Sequence, residues 1–397
     1  MEKTSAQSWV MVGFAWLVAF SSNIMLFGVA PLFGVIQEDL GVSFTELSLL
    51  ISTAFLVTAI LAIPGGLFAD SLGVKKTVGI AIALMGVGGF LRGISFDFLS
   101  LLTFSAVFAV GYGLALPNLP KIVSQWFPSR MAGTASGIYA TGFPIGVTLG
   151  LALSFAIFLF MDSWRAVLAL WGAIGLVAAV GWWLLAKGPT KATGALAFTS
   201  STLRRVLKKR SVWIVALISF LNWFIFGVET GWLPSFYVAK GVDASLAGVL
   251  VSTLTIGNMA GVFFGPMASD RVGLRRPFLW GFFLVSGVGG YLLLVSPTDV
   301  GWVLMPLLGF AVAVSFVFGF ILPMELVEPS EVGSASGVVI SAAAFGAVIG
   351  PLLTGYFRDI TGDFQLIPVL LIIASAGAFI LTFILPETGH RRRKNRT

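Results

Sequence analysis

Gly65-Gly66-Leu67-Phe68-Ala69-Asp70-Ser71-Leu72-Gly73-Val74-Lys75-Lys76 returns two hundred positions on as Gly265-Pro266-Met267-Ala268-Ser269-Asp270-Arg271-Val272-Gly273-Leu274-Arg275-Arg276. Both stretches close an apolar run and open the next one. Other segments echo in the same order. Gly133-Thr-Ala-Ser-Gly137, with Gly146 and Gly150 beyond, returns as Gly333-Ser-Ala-Ser-Gly337 with Gly346 and Gly350. Asn23-x-x-x-Phe27-Gly28-Val29 returns as Asn222-x-x-x-Phe226-Gly227-Val228, and Gly86-Val-Gly-Gly-Phe-Leu91 as Gly287-Val-Gly-Gly-Tyr-Leu292. Matches in one order at nearly one shift read as a duplicated half, and a repeat of this size decides the architecture.

The chain is 57% apolar and only 10% charged, with a mean hydropathy of +0.99. Soluble domains carry about 25% charged residues, so too little polar surface exists here to coat a globule. The apolar residues fall in runs long enough to cross a bilayer as helices, which needs about 20 residues each. Twelve runs are expected, near 9–36, 45–67, 77–95, 98–123, 134–160, 164–186, 212–238, 244–268, 277–295, 301–324, 334–357 and 364–385. The fold class is an all-α membrane protein of two pseudo-symmetric six-helix bundles, 1–186 and 212–386. A basic linker at 187–211 joins them, and a basic tail follows at 387–397. Leu203, Val206 and Leu207 sit at helical spacing among bases, as in a short amphipathic helix on the inner membrane surface. The first run is too long for a cleaved leader and is expected to stay as the first span.

Orientation follows from the basic residues. With both termini in the cytoplasm, all of the 24 Lys and Arg but Arg92, Arg165, Lys240 and Arg358 lie on the inner side, as the positive-inside bias requires. The net charge of +7 is thus a topology signal. It offers no basic groove for nucleic acid; anionic lipid is the expected macroscopic partner. The chain lacks cysteine, and its one histidine is His390 beside Arg391-Arg392-Arg393-Lys394. Thiolate and histidine chemistry are excluded with them, and no metal, cofactor or enzymatic site is expected.

Gly66, Asp70, Gly73, Lys75 and Lys76, with Asp270, Arg271, Gly273, Arg275 and Arg276, resemble the loop motif of the major facilitator superfamily of secondary transporters. The resemblance covers nearly the whole chain. It implies two six-helix halves with one central site and alternating access. It also implies that the motif aspartates gate the cytoplasmic side. Asp70 would meet the start of the eleventh span near Gly333, and Asp270 the start of the fifth near Gly133, where backbone N–H groups favour a carboxylate. A narrower resemblance lies in Leu116-Pro117-Asn118-x-Pro120-Lys121, Trp126-Phe127-Pro128 and Gly133-x-Ala135-x-Gly137, which is similar to the nitrate/nitrite and organic-anion branches. Nitrate porters use an Arg in the second and eighth spans. Neither span here contains a basic residue, which speaks against nitrate and leaves a small anion as candidate.

Charges within the bilayer are functional hypotheses by default. Glu229, in the outer half of the seventh span, is the proton-coupling candidate; its bland alternative is a snorkelling Glu paired with Lys240. Arg92, near the outer end of the third span with Asp97 close behind, reads as an interfacial cation. Lys121 and Glu325 sit near the cytoplasmic ends of the fourth and tenth spans and read as gate or interface residues. Asn23 and Asn222 are symmetry mates whose amides need partners inside the protein. With Tyr112, Asn118, Tyr139, Trp223 and Trp232 they form the substrate-binding candidates. Gly142, Gly146 and Gly150 share one helix face, as do Ala342, Gly346 and Gly350, which predicts tight helix contacts. Pro144 faces Ala344 in the repeat and predicts a kink in one half only. The expectation is a monomeric, proton-coupled transporter in the cell membrane that moves a small organic solute, either a monoanion or a weakly polar compound. The alternatives are a proton-driven exporter of lipophilic or cationic compounds and a non-transporting solute sensor.

Overall fold

The computed structural model describes residues 6–127, 129–188, 200–328 and 331–389. The basic tail from His390 onward, the stretch 189–199, the side chains of Asp70 and Leu203 and the environment of Gly133 lie outside it. Among the described residues, twelve helices are long and apolar enough to cross a membrane, and no strand occurs. In unit 1 they are span 1 (Ala6–Leu40), span 3 (Val74–Ile94), span 4 (Phe98–Trp126) and span 6 (Trp164–Leu185). Span 2 is Phe44–Leu72, and span 5 is built from Ser129–Ala140 and Gly142–Met161. In unit 2 they are span 7 (Arg210–Ala239), span 8 (Ala244–Val272), span 9 (Arg276–Val295), span 10 (Gly301–Leu326), span 11 (Val332–Thr361) and span 12 (Leu366–Ile384). The chain divides into two compact units, Met1–Leu196 and Ala197–Thr397.

Short polar caps start several spans. The Ser43 hydroxyl accepts from the Glu46 N–H while Glu46 accepts from the Ser43 N–H at 2.8 Å. Asp97 accepts from the Ser100 N–H at 2.7 Å, and Asp243 from the Ser245 N–H at 2.9 Å. Each satisfies donors that the first helical turn leaves unpaired.

Each unit repeats one packing scheme. In unit 1, span 1 lies on span 5, span 2 on span 4, and span 3 on spans 4 and 6. In unit 2, span 7 lies on span 11, span 8 on span 10, and span 9 on spans 10 and 12. The predicted small-residue faces are the contacts. A Cβ on Gly146 would come within 2.4 Å of the Phe20 carbonyl oxygen, and one on Gly346 within 2.0 Å of that of Phe220. Without hydrophobic drive between helices in lipid, such backbone approach supplies the packing. The asymmetry at Pro144 is real. Span 5 breaks at Thr141, since Pro144 has no N–H for the carbonyl of Ala140, while span 11 runs unbroken.

The linker helix forms at Ser200–Leu207 and belongs with unit 2. Of the expected apolar stripe, Val206 is fully buried against Val212 and Ala335, whereas Leu207 is 40% exposed. The helix therefore docks on the start of span 11. Lys209 and Arg205 pair with the buried carboxylate of Glu331. The Lys209 hydrogen bond, foremost, holds that carboxyl below its ordinary 4.5. A lowered carboxyl stabilises the docked form above the unfolded value and loses that contribution as pH falls through the lowered one. Glu331→Gln is expected to raise amide exchange in the linker helix about two- to fivefold at pH 7, as expected for a partly exposed pair. The difference from wild type should fade well below pH 4.5. Exchange that matches wild type at pH 7 would remove the ion pair from the docking.

Candidate functional site

In unit 1 the decisive residue is Arg92. It is 1% exposed, which corrects its expected place at the interface. Asp97 does not pair with it; that carboxylate caps span 4. The Arg92 Nη1 donates to the carbonyl of Met25 at 2.9 Å. Span 1 breaks just beyond, as the helix Ala6–Phe27 gives way to a short 3-10 turn at Ala30–Leu32. Pro31 offers no N–H to the carbonyl four residues earlier. The guanidinium lies 5.6 Å from the ring centre of Phe108. Phe108 lies tilted against Tyr112, Tyr112 meets Phe55 edge-on, and Phe55 meets Phe27. Nε and Nη2 of Arg92 and the hydroxyl of Ser105 are buried with no hydrogen-bond partner.

Asn118 and Lys121 act on the first loop motif. Asn118 Nδ2 donates to the Gly65 carbonyl at 3.0 Å and to that of Leu114 at 2.9 Å. Lys121 Nζ donates to the Gly66 carbonyl at 2.8 Å. Both staple span 4 to the end of span 2. For Asn118 this replaces the expected substrate contact of its amide nitrogen, although its Oδ1 stays unpartnered. Gly73 has φ +86° and ψ 146°, a backbone region open essentially to glycine alone, which explains the motif's second glycine. Asn23 donates to the Ala19 carbonyl and to Ser22 within its own helix. Tyr139 is half-buried against Phe143 and the Val12–Phe127 cluster.

In unit 2, Glu229 is fully buried and both its carboxyl oxygens lack a partner. Lys240 is not its counter-ion, because that ammonium donates to the Leu293 carbonyl and sits over Phe236. Asn222, two turns earlier on span 7, is buried with its Oδ1 unpartnered. Trp223 is half-buried among Phe226 and Phe316, joining spans 7 and 10. Trp232 departs from the expected substrate role: it is fully buried and its N–H donates to the Pro351 carbonyl at 2.9 Å.

The second loop motif is a closed charge cluster. Arg275 is 8% exposed. It donates to Asp270 at 2.6 Å, to Glu325 at 2.8 Å and to the Ser269 hydroxyl at 3.0 Å. Arg276 reaches the carbonyls of Thr382 and Phe383, and Arg271 stays exposed. The segment after span 12 completes the cluster. Glu387 accepts from the N–H groups of Arg275 and Arg276, at 2.7 and 3.1 Å, capping the start of span 9. Thr388 donates to Glu325 at 2.6 Å. Sequence reading assigned nothing to Glu387, Thr388 or Glu331. The adjacent pair Glu387-Thr388, soon after a run as apolar as span 12, was the available signal for that cluster; Glu331 carried none.

Residues 15–324 and 240–397 match the family described as Major Facilitator Superfamily. The hexuronate transporter of Bacillus subtilis (strain 168) is 27% identical over 357 residues, covering 83% of each chain. The quinolone resistance protein NorA of Staphylococcus aureus (strain COL) is 26% identical, covering 92% of this chain and 93% of its own. The crystal structure of a bacterial homologue of the human lysosomal transporter Spinster, inward-facing and unoccupied, shares the fold. Its TM-score is 0.79 at 16% identity, over 96% of this chain and 98% of that one. Twelve spans in two repeated units, paired loop motifs and this match across nearly the whole length make one statement: the chain is a membrane transporter belonging to the Major Facilitator Superfamily.

Proposed function

We propose that the protein is a proton-coupled secondary transporter of a small organic monoanion. It works by alternating access as a monomer in the cell membrane, with both termini cytoplasmic and basic residues meeting anionic lipid. The observation that carries the coupling is Glu229: a carboxyl within span 7, fully buried, with neither oxygen hydrogen-bonded. A carboxylate in that condition costs several kcal/mol, so it travels with a proton. The hexuronate transporter among the relatives supports an anionic solute. Purified protein in proteoliposomes, given radiolabelled glucuronate or benzoate and an acid-outside pulse, should accumulate one of these acids. Uptake indifferent to the pH gradient would remove the coupling. Failure with every acid tried would remove the anion.

A second reading is export of lipophilic or cationic compounds. The half-buried aromatic group of Trp223, Phe226 and Phe316 favours it, since aromatic faces attract cations. The quinolone resistance protein among the relatives points the same way. Proton-driven movement of a fluorescent cationic dye in the same vesicles, without carboxylate flux, would select it.

A further inference from the structure

We infer that Arg92 is the residue that receives the solute's anionic group, with Ser105 as a second donor and Phe108 and Tyr112 as an aromatic wall. The inference rests on the anion reading above and names its binding residue. A guanidinium has five N–H donors and no acceptor. Taken out of water, it is strongly unfavourable unless paired and hydrogen-bonded. Here only Nη1 is engaged, by a neutral carbonyl, while Nε and Nη2 are buried and unpartnered. Among the described residues no carboxylate answers it. Asp97 caps span 4. Asp39, another acid at this end of unit 1, pairs with Arg165 at 2.7 Å, and Glu46 caps span 2.

Buried polar groups almost always find partners, and each exception needs an explanation. An anion that comes and goes supplies one. Nε and Nη2 form one edge of the guanidinium fork, which matches the two oxygens of a carboxylate. Ser105 lies on span 4 three residues before Phe108, on the same helix face, with its hydroxyl also unpartnered. The Met25 carbonyl then acts as the resting acceptor. It belongs to the last turn before the break in span 1, and movement of that broken span uncovers Arg92. The aromatic wall, Phe108 on Tyr112 at 5.8 Å between ring centres, suits an acid with an apolar or ring-shaped body over a small inorganic anion.

The test uses the full-length purified protein and three probes: glucuronate, benzoate and, as neutral control, benzyl alcohol. Binding is read by thermal shift and by counterflow in proteoliposomes. Wild type is expected to bind an acid. Arg92→Gln should weaken that binding by tenfold or more. Arg92→Lys, which keeps the charge but loses the fork, should fall between the two, with benzyl alcohol unaffected throughout. If wild type binds neither acid, the anion reading falls and this inference with it. If wild type binds an acid and the folded variants bind it equally well, the inference alone is overturned. If neither variant folds, Arg92 is assigned to bracing span 1 and the inference is likewise overturned.

Discussion

Glu229→Gln protein is expected to exchange substrate across a vesicle membrane yet fail to concentrate it when a pH gradient is imposed. Glutamine matches the neutral carboxylic acid in size and in having one donor and one acceptor face, so the buried site keeps its shape. It cannot release a proton. A one-unit pH gradient is worth about 1.4 kcal/mol per proton, or about tenfold accumulation, and the variant should lose that whole factor. Counterflow, which needs no net proton movement, should persist. The two readouts separate a lost coupling group from a damaged protein. Full proton-driven accumulation by the variant would assign coupling elsewhere.

A larger structural effect is expected where spans 8 and 10 touch. A Cβ on Gly257 would fall 1.8 Å from the carbonyl oxygen of Pro306, and one on Gly309 1.8 Å from that of Leu254. Both obstacles are backbone, so no side-chain rotation relieves them. Gly257→Ala must push the helices apart, and overpacking of this kind costs about 1–3 kcal/mol, occasionally more. For a unit of this size that lowers Tm by roughly 2–4 °C per kcal/mol. Gly257→Leu should abolish folded protein in detergent. Gly281→Ala is the control, because nothing lies within 4 Å of its Cβ position. A thermal-unfolding series that ranks Gly281→Ala with Gly257→Ala would show that the close contact is not maintained in the membrane.

The architecture was legible because its causes are periodic. Bilayer thickness sets span length, duplication sets symmetry, and glycines four apart mark a helix face that comes close to another. Gly146 and Gly346 illustrate the last point, each resting on a backbone carbonyl of another span, that of Phe20 in span 1 and of Phe220 in span 7. Side-chain direction was not legible. Arg92 lies near a span end, where most cations reach water, yet one carbonyl on span 1 and one ring on span 4 hold it inside. Trp232 and Asn118 carry polar groups suited to a solute, but backbone carbonyls of neighbouring helices already occupy their N–H groups. Lys121 and Glu325 sit near the cytoplasmic ends of spans 4 and 10, in stretches that are only partial counterparts, and work by opposite chemistry. One donates to a loop carbonyl, and the other accepts from the loop's arginine. A repeat predicts where partners meet, while the sign of the partnership is free to drift.

Gly389 lies so close to the turn between spans 8 and 9 that a Cβ there would come within 2.2 Å of the Gly273 carbonyl oxygen. The chain's way out of unit 2 is therefore pinned beside the Arg275 cluster by Glu387 and Thr388. A fluorophore attached just past Gly389 would start its tether at that loop, and its signal would track the loop's rearrangement. A reporter protein fused at the same point would bear directly on this turn, so a tagged chain and an untagged one are best treated as different samples until their kinetics agree.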